Sequence, residues 1–387
     1  CLVLTHILSI EDCIDAVDVE TICILVGMML LVAVIKNSGI FEYIAIKAAK
    51  IAKGRPWPIM VIFILITAVC SGMLDKVTTV LLVGPMTLAI TNILKVDPVP
   101  YIITQIMASN IGGTATLIGD PPNIMIGSAA KLSFVDFILN TGVATVFVII
   151  VGLICMYFIY GRKLFVTDES IAKVMQLDEN KAIKDRKLMH ESVIVIILVA
   201  LCFIFHDQLG VQSCTVAIAA ACIMLLIGGQ EPEEIIADVE WPTILFFIGL
   251  FIVVGGMKKV GVITMLANGL ISITHGNMVV TMMVILWVSA IVSSFLDNIP
   301  FVATLIPMIL TMQSEGMDVA PIWWALSLGA CLGGNGTLIG ASANVVLSGI
   351  SKNNGHPITF GQYFKIGFPM MILSIIVCSV FLLIRFA

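Results

Sequence analysis

Two short polar segments interrupt long apolar stretches of this chain, and each carries an aspartate near its start. The segments are Leu74-Asp75-Lys76-Val77-Thr78-Thr79 and Leu296-Asp297-Asn298-Ile299-Pro300-Phe301. Each segment ends one apolar helix and begins the next, so unpaired backbone N–H groups and a positive helix end face its side chains. An aspartate there could simply cap the helix. Two aspartates at matching positions favour a functional role, because ionisable groups at membrane depth are costly and usually functional.

A longer motif also occurs twice. GGTATLIGDPPN begins at Gly112 and GGNGTLIGASAN begins at Gly333, and seven of the twelve positions are identical. Glycine pairs weaken a helix, and Asp120-Pro121-Pro122 removes two backbone donors and keeps the residue before each proline extended. We expect two broken helices whose carbonyl, threonine and asparagine oxygens suit Na⁺ and hydrogen bonding to an anion. Close packing of small residues is the alternative, but it does not explain the paired asparagines.

Two charged residues have no counterpart in the other copy. Lys76 is matched by Asn298, and Asp120 is matched by Ala341. Lys76 could form an ion pair with Asp75, or its ammonium could stand where a metal cation would otherwise bind, which would favour proton coupling. Asp120 is a candidate proton carrier or a helix cap. Glu20 and Glu240, at the entrances of two apolar segments, are expected to cap helices and to pair with their dipoles.

The spacing of matched residues indicates a duplication. Leu74-Asp75 matches Leu296-Asp297 and Pro85 matches Pro307, and further upstream Gly27, Lys36 and Gly39 match Gly249, Lys258 and Gly261. Nearly constant spacing over about a hundred residues does not arise by chance. In a membrane chain, duplicated breaks in apolar segments point to a transport site.

Composition places the chain in a membrane. Hydrophobic residues make up 59% and charged residues 12% of the 387 residues, whereas a soluble domain carries about a quarter charged residues. We therefore predict an all-α polytopic membrane protein embedded in a lipid bilayer. No basic, aromatic-rich stretch suggests nucleic-acid binding. The ten cysteines lie mostly singly in apolar runs, without the spacing of metal ligands, so most of them are expected to be small buried side chains.

The apolar segments divide into two copies. Residues 1–160 form the first copy, 161–190 a charged loop and 191–387 the second, and upstream helices of the first copy are expected to be missing. Lysine and arginine are concentrated in loops 36–55 and 161–190, which should be cytoplasmic. An odd number of spans between the copies then makes them inverted repeats. The number of spans does not distinguish a re-entrant hairpin from two full spans, because both add an even number. The charged tip between the two apolar helices favours a re-entrant hairpin, since it needs protein or water around it and not lipid.

At these motifs the chain resembles the ion transporter superfamily, in the branch of melanocyte P protein, arsenical pump membrane proteins and NhaD-type antiporters (ArsB/NhaD permeases). The resemblance covers essentially the whole chain, and its motifs are MLDKVTT, SNIGGTATLIGDPPN, FLDNIPF and GACLGGNGTLIGASANVV. It implies two inverted repeats, each with a re-entrant helical hairpin and a broken helix, in a scaffold domain and a moving transport domain, and it implies a homodimer. The family tip more often contains LDN, so Lys76 is a departure that weighs against a sodium site in the first copy.

The resemblance also implies, by position, that one central site is lined by Asp75, Thr78, Asn110, Thr116, Asn123, Asp297, Asn298, Asn335, Thr337 and Asn344. Lys76, Thr79 and Asp120 complete the predicted ion- or substrate-binding set, and a sodium ion is predicted near Asp297, Asn298 and Asn344.

We predict a secondary active transporter, not an enzyme, that works by alternating access in a prokaryotic plasma membrane. No cofactor is expected beyond a coupling ion, H⁺ or Na⁺. Candidate substrates are an oxyanion or arsenite-like species, a carboxylate, or Na⁺ exchanged for H⁺ by an antiporter. The alternatives of other classes are a passive ion channel and an intramembrane aspartyl protease. The protease would need two facing catalytic aspartates, but the symmetry pairs Asp75 with Asp297 in a duplication that proteolysis does not need.

Overall fold

The computed structural model of the chain describes residues 2–387, with the side chains at 206, 207 and 209 outside the description. All regular secondary structure in this part is helical. The first half contains α1 (Ile10–Asp15), α2 (Val19–Lys36), α3 (Ile40–Ile51), α4 (Pro56–Met73), α5 (Lys76–Leu94), α6 (Val99–Thr114), α7 (Pro121–Ala130), α8 (Phe134–Phe137) and α9 (Val143–Ile159). A π-helical turn, Ile138–Gly142, joins α8 to α9.

The remaining helices follow a short connecting segment. They are α10 (Asp168–Met175), α11 (Arg186–Leu209), α12 (Ser213–Ile227), α13 (Pro232–Ala237), α14 (Trp241–Lys259), α15 (Val262–Thr274), α16 (Met278–Phe295), α17 (Asn298–Ser314), α18 (Ala320–Gly333), α19 (Ser342–Asn353) and α20 (Phe360–Phe386). Eight helical segments in the described residues are long and apolar enough to cross a membrane: α2, α4, α5, Phe134–Lys163, α11, α14, α16 and α20. The predicted all-α polytopic membrane protein is confirmed.

The helices of the second half recur in the order of the first. Helices α2 to α7 correspond to α14 to α19, and α9 corresponds to α20. The contacts recur as well, because α4 packs on α6 as α16 packs on α18, and α5 contacts α19 as α17 contacts α7. Each half therefore supplies a helical hairpin (α4–α5, α16–α17) and a broken helix (α6–α7, α18–α19). The breaks are the non-helical residues 115–120 and 334–341. The division at residues 160 and 190 and the opposite orientation of the halves stay predictions.

The charged segment 161–190 is more ordered than a loop. It contains α10 and a 3₁₀ turn over Glu179–Ala182, and α11 begins within it at Arg186. The side chain of Thr167 caps α10, and Asp185 accepts from the backbone N–H of Lys187 at 2.8 Å. Lys50 on α3 donates to Glu179 at 2.5 Å, and this hydrogen bond lowers the pKa of the glutamate. This ion pair joins segment 161–190 to α3, which lies in the lysine-rich loop 36–55.

Each broken helix lies unusually close to a hairpin arm, and glycine makes this approach possible. A Cβ atom at Gly112 would lie 2.1 Å from the carbonyl oxygen of Ala68 on α4, and one at Gly333 would lie 2.6 Å from that of Ala290 on α16. Backbone oxygens cannot swing away as a side chain can. The duplicated glycines therefore fix the distance between each hairpin and its broken helix.

We expect Gly112→Ala to lower the free energy of unfolding by about 1–3 kcal/mol, because the added methyl group must separate α4 from α6. Thermal unfolding of the purified protein in detergent measures this. Gly152→Ala on α9 is the control, since a Cβ atom there meets nothing within 4 Å. Equal stability of the two variants would show that α4 and α6 are not in close contact.

Candidate functional site

The two polar segments predicted from the sequence are the tips of the hairpins, and their aspartates cap the second arms. Asp75 accepts from the backbone N–H groups of Val77 at 2.7 Å and Thr78 at 3.1 Å, and from the Thr78 hydroxyl. Asp297 accepts from the N–H of Ile299 at 3.0 Å. The capping interpretation therefore accounts for the positions of both carboxylates.

Lys76, the first residue of α5, pairs with Asp120 and not with its neighbour Asp75. Its Nζ lies 2.9 Å from Oδ1 and 3.0 Å from Oδ2 of Asp120. Exposure is 1% for the lysine side chain and 0% for the aspartate. Of the alternatives for Lys76, the pair with Asp75 is wrong, because the Asp75 carboxylate is already occupied by the backbone of α5.

The capping alternative for Asp120 is also wrong. Asp120 precedes α7 in an extended conformation, with φ −143° and ψ 132°, and its side chain makes no capping hydrogen bond. A cap accepts from the second or third N–H of its helix. Pro122 has no N–H, and the N–H of Asn123 is bound to the backbone oxygen of Asp120 at 2.9 Å. The two prolines thus leave the carboxylate free to reach Lys76.

Asn298, the first residue of α17, closes a triangle with the ion pair. Its Nδ2 donates to Oδ2 of Asp120 at 3.2 Å, and its Oδ1 accepts from Nζ of Lys76 at 3.4 Å. Lys76 and Asn298 are counterparts in the two halves, so the hairpin tips meet each other and the first helix break at one buried point. We refer to Lys76, Asp120 and Asn298 as the central triangle.

The paired asparagines hold the breaks together. Asn123 donates its Nδ2 to the carbonyl oxygens of Thr116 at 2.9 Å and Thr114 at 3.2 Å. Asn344 donates in the same way to Gly334 at 2.7 Å and Thr337 at 2.9 Å. Carbonyl oxygens that we expected to be free for a cation therefore receive an amide donor from their own break.

The same asparagines also connect the halves. Oδ1 of Asn123 accepts from Ser327 on α18 at 2.6 Å, while Oδ1 of Asn344 accepts from Asn110 on α6 at 2.9 Å. Asn110 donates as well to Oδ1 of Asn335 at 2.9 Å. All five side chains are buried. The asparagine at each break is thus hydrogen-bonded to the helix that precedes the break of the other half.

The paired threonines tie each break to the hairpin of its own half. Thr116 donates to the carbonyl oxygen of Gly72 at 2.5 Å, and Thr337 donates to that of Ser294. Thr79 behaves differently, because its buried hydroxyl has no hydrogen-bond partner among the described residues. The break threonines thus position the tips, whereas Thr79 lies one turn inside α5.

Each side chain of the predicted sodium site is engaged in other hydrogen bonds. Asn298 belongs to the central triangle, Asn344 bonds with Asn110 and its own break, and Asp297 caps α17. Across the described part of the chain, no group of three His, Cys, Asp or Glu side chains is placed to hold a metal ion. The sodium site therefore stays a prediction.

Several residues that join these elements were missed. Ser71 and Ser293 occupy matching positions and donate to the carbonyl oxygens of Ser109 at 2.7 Å and Ala330 at 2.6 Å. The spacing that matched Asp75 with Asp297 also matches these serines, so the signal was present. Ser327 has no serine counterpart at the matching position in the first half, and nothing in the pattern distinguished it from a small packing residue.

The N-cap of α2 is also corrected by the structure. Asp18, not Glu20, accepts from the N–H of Thr21 at 3.2 Å, and Glu20 lies in the first turn. Glu240 stands at the N-cap position of α14 and accepts from the Thr243 hydroxyl at 3.2 Å, but its side chain makes no capping hydrogen bond to the backbone.

Two cavities border α7. One of about 400 Å³ lies towards α2 and the start of α12, and Glu20, Lys131 and Gln212 are among its lining residues. The other, of about 250 Å³, lies towards α14 and α17 and is lined by Asp15, Asp18 and Lys258 among others. Both are lined by charged groups of each sign.

Comparison with known proteins gives a consistent result. Residues 1–329 match the family described as CitMHS, citrate transporter. The chain is 42% identical over 374 residues to "Uncharacterized transporter Mb2703" of Mycobacterium bovis, covering 96% of this chain and 87% of that protein. It is 33% identical over 460 residues to the P protein of Sus scrofa, covering 97% of this chain and 54% of that protein.

Among solved structures, the YdaH transporter of Alcanivorax borkumensis is similar, with a TM-score of 0.54 and 15% identity over 93% of this chain and 83% of that one. At this identity the likeness supports the fold alone. The predicted relationship to the ion transporter superfamily and its P protein branch is confirmed. The chain therefore belongs to the CitMHS citrate transporter family, and it is a multi-pass membrane transporter and not an enzyme.

Proposed function

We propose that this protein is a secondary active transporter that moves a small anion, with carboxylates first among the candidates, together with H⁺ or Na⁺. The observation that carries the proposal is the central triangle, where Lys76 presents a buried ammonium at the meeting point of both hairpin tips and a helix break. A buried ammonium group beside the Nδ2 donor of Asn298 suits a carboxylate or an oxyanion. The description of the family names citrate, which agrees with this chemistry.

The burial of the triangle supports alternating access. Lys76 and Asp120 are shielded from solvent, so a substrate reaches them only after helices move. The two cavities border α7, which follows Asp120 in the chain, and they lie on what we propose is the external side. Movement of the hairpins and broken helices against a scaffold containing α2, α11, α12 and α14 would expose the triangle to each side in turn. This is an elevator-type mechanism, and nearly equivalent halves make its two end states similar in energy.

An Na⁺/H⁺ antiporter is the second candidate. The buried Asn110 Oδ1 has no hydrogen-bond partner among the described residues, and an unpaired amide oxygen is a suitable ligand for a hard cation. A passive channel is less well supported, since the centre of the described structure is packed and closed by hydrogen bonds. A coupled transporter differs from a channel in that only the transporter accumulates its substrate against a gradient.

Loops 36–55 and 161–190 are proposed to be cytoplasmic, in a prokaryotic plasma membrane. The lysine-rich α3 and the segment around Glu179 are joined by the Lys50–Glu179 ion pair, so they lie on the same side. We further propose a homodimer, which rests on the resemblance to the ion transporter superfamily.

In proteoliposomes, we expect one member of a panel of citrate, other carboxylates, phosphate and arsenite to be taken up against its gradient when a pH or Na⁺ gradient is imposed. Radiolabelled uptake measures this, with protein-free liposomes as the control. A rise in Na⁺-driven H⁺ movement without uptake of any anion would favour the antiporter. Uptake that only equilibrates would indicate a channel.

For the orientation, we expect a cysteine introduced by Glu169→Cys to be protected from a membrane-impermeant thiol reagent in intact cells, because segment 161–190 is cytoplasmic. Glu315→Cys, exposed after α17, is expected to react. Labelling of the unmodified chain gives the background from its own cysteines. The reverse pattern would invert the topology.

A further inference from the structure

The ion pair of the central triangle is confined to one half of a duplicated architecture. The second half builds the same hairpin tip and the same helix break with Asn298 and Ala341 in place of Lys76 and Asp120. Its break is held by the equivalent asparagine and threonine, Asn344 and Thr337. The architecture therefore does not need either charge.

Energetics lead to the same conclusion. Replacing both members of a buried ion pair by neutral residues is often neutral or stabilising, whereas removing one member leaves an uncompensated charge. The side chains of Lys76 and Asp120 have 1% and 0% exposure, so this rule applies to them. A pair that serves only stability is readily replaced. Its presence within the part of the protein that we propose to move calls for a role in transport.

We propose that Asp120 is a resident anion, which an incoming carboxylate replaces at Lys76 while Asp120 takes up one proton. This inference rests on the proposed transport function and adds to it the coupling ion and the group that carries it. The carboxylate oxygens of Asp120, at 2.9 and 3.0 Å from Nζ, mark the position that the substrate carboxylate takes.

Charge conservation in the buried site couples the two events. The empty site is neutral, because Lys76 is positive and Asp120 is negative. Adding one substrate carboxylate group alone leaves one net negative charge beside Lys76 and away from water, which is costly. Adding one carboxylate group and one proton keeps the surroundings of Lys76 neutral. Each ligand therefore strengthens binding of the other, and the protonated carboxyl group becomes a hydrogen-bond donor.

The surroundings identify Asp120 as the proton acceptor. The charged or titratable groups that face it are Lys76 on α5, Asp297 at the start of α17 and Cys331 on α18. Asn298 is neutral, and α4 approaches the break through the Gly72 carbonyl group and the Ser71 hydroxyl group. Asp297 is held by the backbone of α17. Asp120 is the carboxylate in direct contact with the ammonium that the substrate must reach.

The first arm of the test needs no transport. Asp120→Ala leaves Lys76 unpaired and opens space, so sodium formate should bind there and raise the melting temperature in detergent by about 2–4 °C at saturation. Sodium chloride at equal concentration controls for ionic strength. Wild type, in which formate must first displace Asp120, should show a smaller rise, and the double variant Lys76→Asn/Asp120→Ala, which copies the residues of the second half, should show none. If Asp120→Ala does not fold, Asp120→Ser is titrated in its place. No formate-specific rise in either variant would overturn the proposal.

The second arm measures coupling with radiolabelled citrate in proteoliposomes, with the membrane potential held at zero. One proton per anion predicts about tenfold accumulation for one unit of pH gradient, with uptake faster when the substrate side is more acidic. Asp120→Asn should retain citrate counterflow but accumulate nothing. Asp97→Asn and Lys95→Asn, both exposed, are matched controls that should behave as wild type.

The outcomes separate the two claims. Full pH-driven accumulation by Asp120→Asn would overturn the role of Asp120 while leaving the transport function intact. If wild type takes up neither citrate nor any other anion of the panel, the proposed transport function is wrong. The formate titration still decides in that case whether Lys76 accepts a free carboxylate.

Discussion

The ion pair between Lys76 and Asp120 imposes the strictest constraint on this structure. Two full charges away from water are tolerated only when they meet with good geometry and their remaining hydrogen-bonding capacity is satisfied. The pair joins a hairpin tip to a helix break that lies 44 residues further along the chain. The hairpin and the broken helix must therefore keep fixed positions relative to each other. The other contacts around the site hold them in these positions.

The contacts that hold each hairpin against its broken helix are duplicated, whereas the two charges are not. Gly112 and Gly333 bring each broken helix against its hairpin. Thr116 and Thr337 bind the tips, and Asn123 and Asn344 close the breaks and exchange hydrogen bonds between halves. The result is a nearly symmetric frame around one asymmetric charged group. A frame of this kind can move as a unit while the group at its centre changes its proton or its ligand.

Much of this frame could be predicted from the sequence, because matched spacing identifies equivalent backbone positions. The tips, the breaks and the paired asparagines were all found in this way. The partner of Lys76 was not found, since Asp75 is adjacent in sequence and only packing brings Asp120 to the tip. The sequence could also have excluded a capping role for Asp120, because Pro122 lacks the N–H group that a cap would bind. Ser327 could not have been found, since nothing in the first half matches it.

A double-mutant cycle on stability tests the central claim most directly. Lys76→Met, Asp120→Asn and the combined variant are each unfolded thermally in detergent beside wild type. A direct buried pair predicts that each single variant loses about 3–5 kcal/mol. The double variant should recover much of this loss, giving a coupling energy of about 2 kcal/mol or more. Additive losses, with a coupling energy near zero, would mean that Lys76 and Asp120 do not meet in the folded protein.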